Sequence, residues 1–86
     1  MISKELLKEV MPTYDYMYID EFNIYELAHR CKEWAAYRHE CFINIFQKTS
    51  YNKYTAKLDG KVFQSDTEPE AIFKACQWIL DNKEAK

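Results

Sequence analysis

Two His-x-Cys pairs are the residues of this chain whose types best suit metal or thiol chemistry. They are His29–Cys31 and His39–Cys41, and Cys76 supplies a further thiol. A zinc site needs three or four such ligands converging at about 2.0–2.3 Å from the metal. Residues two apart on a helix point to different sides, and the chain has no C-x2-C pair. We therefore predict no metal site, and we expect Cys31 and Cys76, which fall on apolar stripes, to be core thiols.

A thiol beside an imidazole could also act as a catalytic nucleophile. The sequence offers no Gly-rich turn, no oxyanion motif and no orienting acid to accompany it. The carboxylate pairs Asp20–Glu21 and Glu68–Glu70 are better explained as negative charge at helix N-termini, where they complement the helix dipole. We therefore predict that the protein is not an enzyme and carries no cofactor.

Lysines and tyrosines alternate in residues 48–61 and form the candidate for nucleic-acid contact. The candidate residues are Lys48, Tyr51, Lys53, Tyr54, Lys57 and Lys61. Lysines can bind phosphates and tyrosines can stack on unpaired bases, although lysines on an edge strand equally keep a solvated surface from pairing with other chains. The formal net charge of −2 disfavours nucleic acid as the main partner, so this function is the alternative.

Length and composition bound the class of protein. A chain of 86 residues predicts one domain, which buries about 60% of the surface of its unfolded form. The apolar content of 48% supports a packed core and argues against disorder. No apolar run approaches the roughly 20 residues of a membrane span, and residues 1–7 lack the apolar core of a signal peptide. An odd number of cysteines suits a reducing compartment, so we expect a cytoplasmic protein without a membrane partner.

The N-terminal half predicts a short helix, an extended segment and a long helix. Ser3 is a candidate cap for a helix that reaches Val10 and is too short to be stable unless it docks. Residues 14–19 have high β-propensity and partial alternation, which favours an edge strand. From the cap residue Asn23, apolar residues recur at helical spacing to about Arg38.

The middle of the chain predicts three strands. Residues 41–46 are apolar at nearly every position, which favours a central strand within residues 40–48. Asp59–Gly60 is a type I′ turn dipeptide between two segments rich in strand formers, and a two-residue turn fixes their register. That register divides the hairpin into a face that we expect to be buried and a face that we expect to be solvated. The first holds Tyr54, Ala56, Leu58 and Phe63, and the second holds Thr55, Lys57 and Gln64.

The last helix has the clearest sequence signals. Thr67 is the predicted N-cap, with Glu70 completing a capping box and Pro69 in the first turn. An apolar stripe then follows at helical spacing, and the helix is expected to end near Asp81 or Asn82. The stripe consists of Ile72, Ala75, Cys76 and Ile79.

The order of these elements predicts an α+β fold. We expect an α-β-β-β-α two-layer sandwich, in which two helices pack on one face of a three-stranded antiparallel sheet. The single domain covers residues 1–86, with a core of residues 21–83 and an N-terminal extension of residues 1–20 that holds the short helix and the extended segment.

Fourteen aromatic residues are more than a domain of this size can bury, so some must be exposed or lie in an interface. The candidate interaction surface combines the outer side of the last helix with tyrosines of the N-terminal extension. The candidates are Phe73, Trp78, Leu80, Tyr14, Tyr16 and Tyr18. The partner would be another protein or a second copy in a homodimer, and packing within the monomer is the alternative.

The predicted α-β-β-β-α order resembles that of the double-stranded-RNA-binding domain. That family binds through basic residues at the start of its last helix, where this chain has Asp66, Glu68 and Glu70. The resemblance therefore implies the topology without double-stranded-RNA binding. The segment from Gly60 to Leu80 is also similar to the end of HicB-type antitoxins, which finish a small sheet with Thr-x-x-Glu-Ala and a helix, and this implies an antitoxin module as a further alternative.

Two stretches, residues 23–35 and a last helix that begins Asp-Thr-Glu-Pro-Glu-Ala, resemble small phage and prophage proteins. Phage α/β-sandwich domains begin their last helix in the same manner. The resemblance implies a small cytoplasmic accessory protein of mobile-element origin and brings no activity with it. Our leading hypothesis is accordingly a non-enzymatic protein that acts through protein–protein contact.

Overall fold

Three helices and one three-stranded sheet make up the computed structural model, which describes residues 2–11, 23–48 and 53–84. The elements are α1 (Lys4–Val10), α2 (Ile24–His39), β1 (Asn44–Lys48), β2 (Lys53–Leu58), β3 (Lys61–Ser65) and α3 (Glu68–Ile79), followed by a π-helical turn (Leu80–Glu84). The strands are antiparallel in the order β1-β2-β3. The α+β class and the helix–sheet packing predicted from the sequence are confirmed, while the strand predicted for residues 14–19 falls outside the described residues.

Side-chain caps begin each helix where the sequence predicts them. The Asn23 side chain accepts hydrogen bonds from the N–H groups of Tyr25 and Glu26 at 2.9 and 3.3 Å. The Thr67 hydroxyl accepts from the Glu70 N–H at 3.3 Å, and the Ser3 hydroxyl caps α1 in the same way. These bonds satisfy backbone donors that have no partner within a helix.

The hairpin between β2 and β3 has the predicted register. Leu58 pairs with Lys61 and Ala56 with Phe63 across the turn. Asp59 and Gly60 both have positive φ angles, 48° and 81°, as a type I′ turn requires. Glycine adopts such an angle without strain, which explains why the single glycine of the chain lies here.

The prediction of a central strand for residues 41–46 is wrong. β1 begins at Asn44 and lies at the edge of the sheet, while β2 is central. Strands joined by short turns pair with their neighbours in the chain, so the second of three strands takes the centre. The apolar character of this stretch has another origin, because Cys41 and Ile43 are buried before the strand begins.

One hydrophobic core joins all the helices to the inner face of the sheet. α3 lies against β2 and β3, and α2 packs along α3. α1 is docked on the rest of the molecule, as we expect of a helix too short to be stable alone. Leu6 and Leu7 are buried, and the Ser3 hydroxyl donates to Gln77 Oε1 of α3 at 2.5 Å. The buried residues include Leu6, Leu7, Leu27, Cys31, Ala56, Leu58, Ile72, Phe73, Cys76 and Ile79.

Candidate functional site

The sheet face opposite α3 is a surface that the described core leaves unused. Alternation along the strands puts Ala56 and Leu58 in the core and their neighbours on the opposite side. We call this opposite side the outer face. It includes the cross-strand rows Phe46–Thr55–Gln64 and Asn44–Lys57–Val62, and Lys53 extends it at the start of β2.

Three large apolar side chains are exposed on or next to the outer face. Phe46 of β1 is 44% exposed and Val62 of β3 is 54% exposed. Phe42, just before β1, is 71% exposed. The sequence analysis missed these residues because it took residues 41–46 as one covered strand. The signal was present, since Phe42, Asn44 and Phe46 alternate with Cys41, Ile43 and Ile45 at the strand period of two.

Thr55 occupies the centre of the outer face. Its cross-strand neighbours are Phe46 and Gln64, and it is only 1% exposed. Within the described part of the chain, its buried hydroxyl has no hydrogen-bond partner. An unpaired buried hydroxyl destabilises the fold, so the centre of this face is not optimised for stability alone.

The lysine and tyrosine candidates for nucleic-acid contact do not share one face. Lys53 and Lys57 lie on the outer face, where both are exposed and Lys53 forms an ion pair with Asp66 at 3.0 Å. Tyr54 packs against the core on the inner face, and the Lys61 ammonium lies 5.5 Å from the centre of the Trp78 ring.

The two remaining candidates for nucleic-acid contact are Lys48 and Tyr51. The backbone of Lys48 belongs to β1, and its side chain, like Tyr51, lies outside the described part of the chain. A nucleic-acid surface made of all six residues is therefore not assembled by this fold.

The candidate interaction surface on α3 needs a correction. Phe73 is only 3% exposed and belongs to the hydrophobic core. Trp78 and Leu80 are half-buried and pack against the core. Tyr14, Tyr16 and Tyr18 fall outside the described residues.

The histidines and cysteines lie in separate environments. His29 is exposed and contacts Glu33 at 3.2 Å, whereas Cys31 is buried between α2 and α3. His39 packs edge-on against Trp34, with ring centroids 4.8 Å apart. Among the described residues, no three potential ligands are grouped so as to hold a metal ion.

The Cys76 thiol is held in its neutral form. It donates a hydrogen bond to the Cys31 carbonyl oxygen at 3.4 Å and is fully buried. Hydrogen bonding with Cys31, and then burial, raise the pKa of Cys76 far above its usual range. Since the thiolate is the reactive form, this cysteine is a core residue and not a nucleophile.

A cavity of about 320 Å³ lies beside α2 and the end of α1. Its lining residues are Val10, Arg30, Glu33, Trp34, Tyr37 and Arg38. Five of them recur along α2 at helical spacing, a second stripe that the sequence analysis overlooked. Arg30 pairs with Glu26 at 3.8 Å and Glu33 contacts His29, so two of the charged side chains are already engaged. The outer face therefore remains the stronger candidate.

Two further observations bear on function. None of the described helices is both long enough and apolar enough to cross a membrane. Comparison with protein-family models, curated proteins and solved structures finds no match to this chain. The argument for function therefore depends on the geometry of the surface.

Proposed function

We propose that this chain is a non-enzymatic cytoplasmic accessory protein that acts by protein–protein contact through its outer face. The observation that carries the proposal is the exposure of Phe46 and Val62 on the outer face and of Phe42 just before β1. Aromatic residues are enriched in protein interfaces, where their burial supplies much of the binding energy. The resemblance to phage and prophage proteins supports a mobile-element origin.

The charge of the outer face suggests the chemistry of the partner. Lys57 is exposed in the middle strand, next to Val62 in the register. Among the outer-face lysines whose side chains the structure describes, Lys53 is paired with Asp66 and Lys57 is in no ion pair, so we take Lys57 as the cation that a partner would meet. We propose a partner surface with apolar side chains that fit Phe46 and Val62 and a carboxylate that pairs with Lys57.

Site-specific photocrosslinking tests this surface. The photoreactive residue p-benzoylphenylalanine replaces Val62 on the outer face or, as the control, Tyr25, which is exposed on α2. We expect a discrete protein adduct from position 62 and none from position 25. The captured protein is then purified and its affinity for the unlabelled chain is measured by calorimetry.

Affinity measurements on the reconstituted complex test whether the partner binds the outer face. We expect Phe46→Ser and Lys57→Glu each to weaken binding at least about tenfold, the effect of removing roughly 1.4 kcal/mol. Lys8→Glu, at an exposed position on α1, serves as the matched charge control and should change nothing. Equal adducts from positions 62 and 25, or unaltered affinity of both outer-face variants, would overturn the proposal.

Single-stranded nucleic acid is the second candidate because Lys57 and Phe46 share the outer face. Stacking on Phe46 and phosphate contact with Lys57 would give weak binding that salt abolishes. Fluorescence anisotropy with a labelled oligothymidine at low salt measures it. Binding that Lys57→Glu and added salt both remove would replace the protein-contact proposal, and we expect none.

A further inference from the structure

The two edges of the sheet differ in what occupies them. Residues that flank a two-residue turn form a hydrogen-bonded pair, and the pairing alternates from there. Gln64 consequently directs its N–H and C=O away from β2, towards the edge formed by β3. Lys74 of α3 donates to this Gln64 carbonyl at 2.7 Å. Because the Lys74 ammonium occupies this carbonyl oxygen, an outward acceptor of the β3 edge is already bonded within the chain.

The edge formed by β1 differs from the β3 edge in the bonding of its described backbone groups. By the same alternation, Ile45 and Gln47 direct their N–H and C=O groups away from β2. In residues 2–11, 23–48 and 53–84 nothing is hydrogen-bonded to these outward groups. The pairing of β1 with β2 is continuous over Asn44–Lys48, without a bulge or proline. A regular edge of this kind is a template for a further strand.

We infer that β1 pairs antiparallel with β1 of a second copy of this chain, which joins the two three-stranded sheets into one. The choice of a second copy rests on self-complementarity. When the two-fold axis passes through Phe46, Ile45 of one copy lies opposite Gln47 of the other. Both residues then exchange N–H···O=C bonds with their counterparts, so every outward group of the two residues is paired.

Other registers of the two β1 strands pair fewer of their outward N–H and C=O groups. A shift of the two-fold axis by one residue requires positions 43 or 49, beyond the ends of Asn44–Lys48, to complete the pairing. In the register centred on Phe46, Lys48 lies opposite Asn44 of the other copy, so no like charges meet. The two Phe46 residues form a non-hydrogen-bonded pair about 4.5 Å apart at Cα, the closest side-chain approach that a sheet provides.

The resulting interface brings the two Phe46 residues together. Their rings would lie side by side on the outer face across the two-fold axis, as an isologous interface requires, and would still be open to a partner on that face. The inference goes beyond the proposed docking face because it uses backbone groups of a strand edge. The two proposals fail separately, since the crosslinking position Val62 lies on β3, the strand farthest from this edge.

The same substitution at the two edges tests the inference. Gln47→Pro removes an outward N–H at the β1 edge, and Gln64→Pro removes an outward N–H at the β3 edge. Neither removes a hydrogen bond within the sheet, and proline is tolerated where the N–H faces away from the partner strand. Sedimentation equilibrium should give twice the single-chain mass of 10.4 kDa for the unmodified chain and for Gln64→Pro, but a monomer for Gln47→Pro.

The result that overturns the inference is equally direct. A monomer for the unmodified chain up to about 1 mM, the weakest association of interest, excludes the dimer. A dimer that survives Gln47→Pro places the interface elsewhere. Far-ultraviolet circular dichroism of both variants verifies that the sheet is retained.

Disulfide crosslinking tests the register without proline. The native cysteines Cys31, Cys41 and Cys76 are buried, so an introduced surface cysteine dominates oxidation. Phe46→Cys puts two thiols across the two-fold axis at a Cα separation compatible with a disulfide, and mild oxidation should convert the chain to a covalent dimer. Asn44→Cys, which faces Lys48 of the other copy, should remain largely uncrosslinked. Equal crosslinking of the two variants contradicts the register.

Discussion

At the scale of single residues, two threonines show how placement determines what a hydroxyl contributes. Thr67 caps α3 through the bond with the Glu70 N–H. The hydroxyl of Thr55 is buried at the centre of the outer face, and it has no hydrogen-bond partner among the described residues. The same functional group therefore stabilises the fold at one position and destabilises it at the other.

The substitution Thr→Val at each position separates these contributions. Thr55→Val should raise the free energy of unfolding by about 1 kcal/mol, because an unpaired buried hydroxyl is replaced by a methyl group of similar size. Thr67→Val should lower it by about 1 kcal/mol through loss of the cap. Urea denaturation followed by tryptophan fluorescence measures both. A loss of stability in Thr55→Val would indicate that the hydroxyl has a partner.

Cys76 links stability to pH. Its pKa is raised by hydrogen bonding with Cys31 and by burial, so the folded state keeps the thiol proton at a pH where the unfolded state releases it. Stability from this group is present below the unfolded thiol pKa of about 8.5 and falls above it, by about 1.4 kcal/mol per pH unit.

Comparison with Cys76→Ala isolates this effect from the titration of tyrosines and lysines. Urea denaturation between pH 7 and pH 10 should show a constant stability difference between the two proteins up to about pH 8, which shrinks above about pH 8.5. A difference that stays constant across the whole range would contradict the raised pKa.

At the scale of elements, α1 acquires its stability from tertiary contacts. Seven residues are too few for an isolated helix in water. Leu6 and Leu7 are buried, and the Ser3 hydroxyl bonds to Gln77 of α3. The N-terminus of α1 is therefore tied to α3, and its two leucines belong to the common core.

Truncation of one buried leucine tests the docking of α1. Leu6→Ala should lower the free energy of unfolding by about 2–5 kcal/mol, the range for leucine truncation in a packed core. Lys4→Ala, at an exposed position of the same helix, is the matched control and should change stability by less than about 0.5 kcal/mol. Chemical denaturation measures both, and equal effects of the two substitutions would show that α1 does not contribute to the core.

At the scale of the whole molecule, one core connects every helix with the sheet. Leu6 of α1, Leu27 of α2, Ala56 of β2 and Ile79 of α3 belong to the same buried cluster. A small domain with one such core has no subset of elements that can bury its apolar surface independently. The molecule should therefore unfold as a single unit.

Two independent probes test this cooperativity. Tryptophan fluorescence reports Trp34 on α2 and Trp78 on α3, while far-ultraviolet circular dichroism reports all the helices and strands. Their thermal or urea transitions should coincide, as they do in two-state unfolding. Separate midpoints would show that the α2–α3 layer and the remaining elements unfold independently.

Local signals were enough to predict most of the elements. Asn23 and Thr67 carry caps whose hydrogen bonds form within a few residues, and Asp59–Gly60 specifies a turn through its own backbone angles. These features depend on neighbours in sequence, so they can be read without the fold. The outer face was harder to predict, because the exposure of Phe46 depends on which strand lies at the edge.

By itself, the sequence determined where each helix begins, the hairpin register, the α+β class and the division of Cys31 from His29. Only the tertiary structure decided that β1 is an edge strand, that Phe73 is buried, and that Lys53 pairs with Asp66. The physical reason is the range of the interactions. Caps and turns act over a few residues, whereas burial and sheet order arise from contacts between segments distant in the chain.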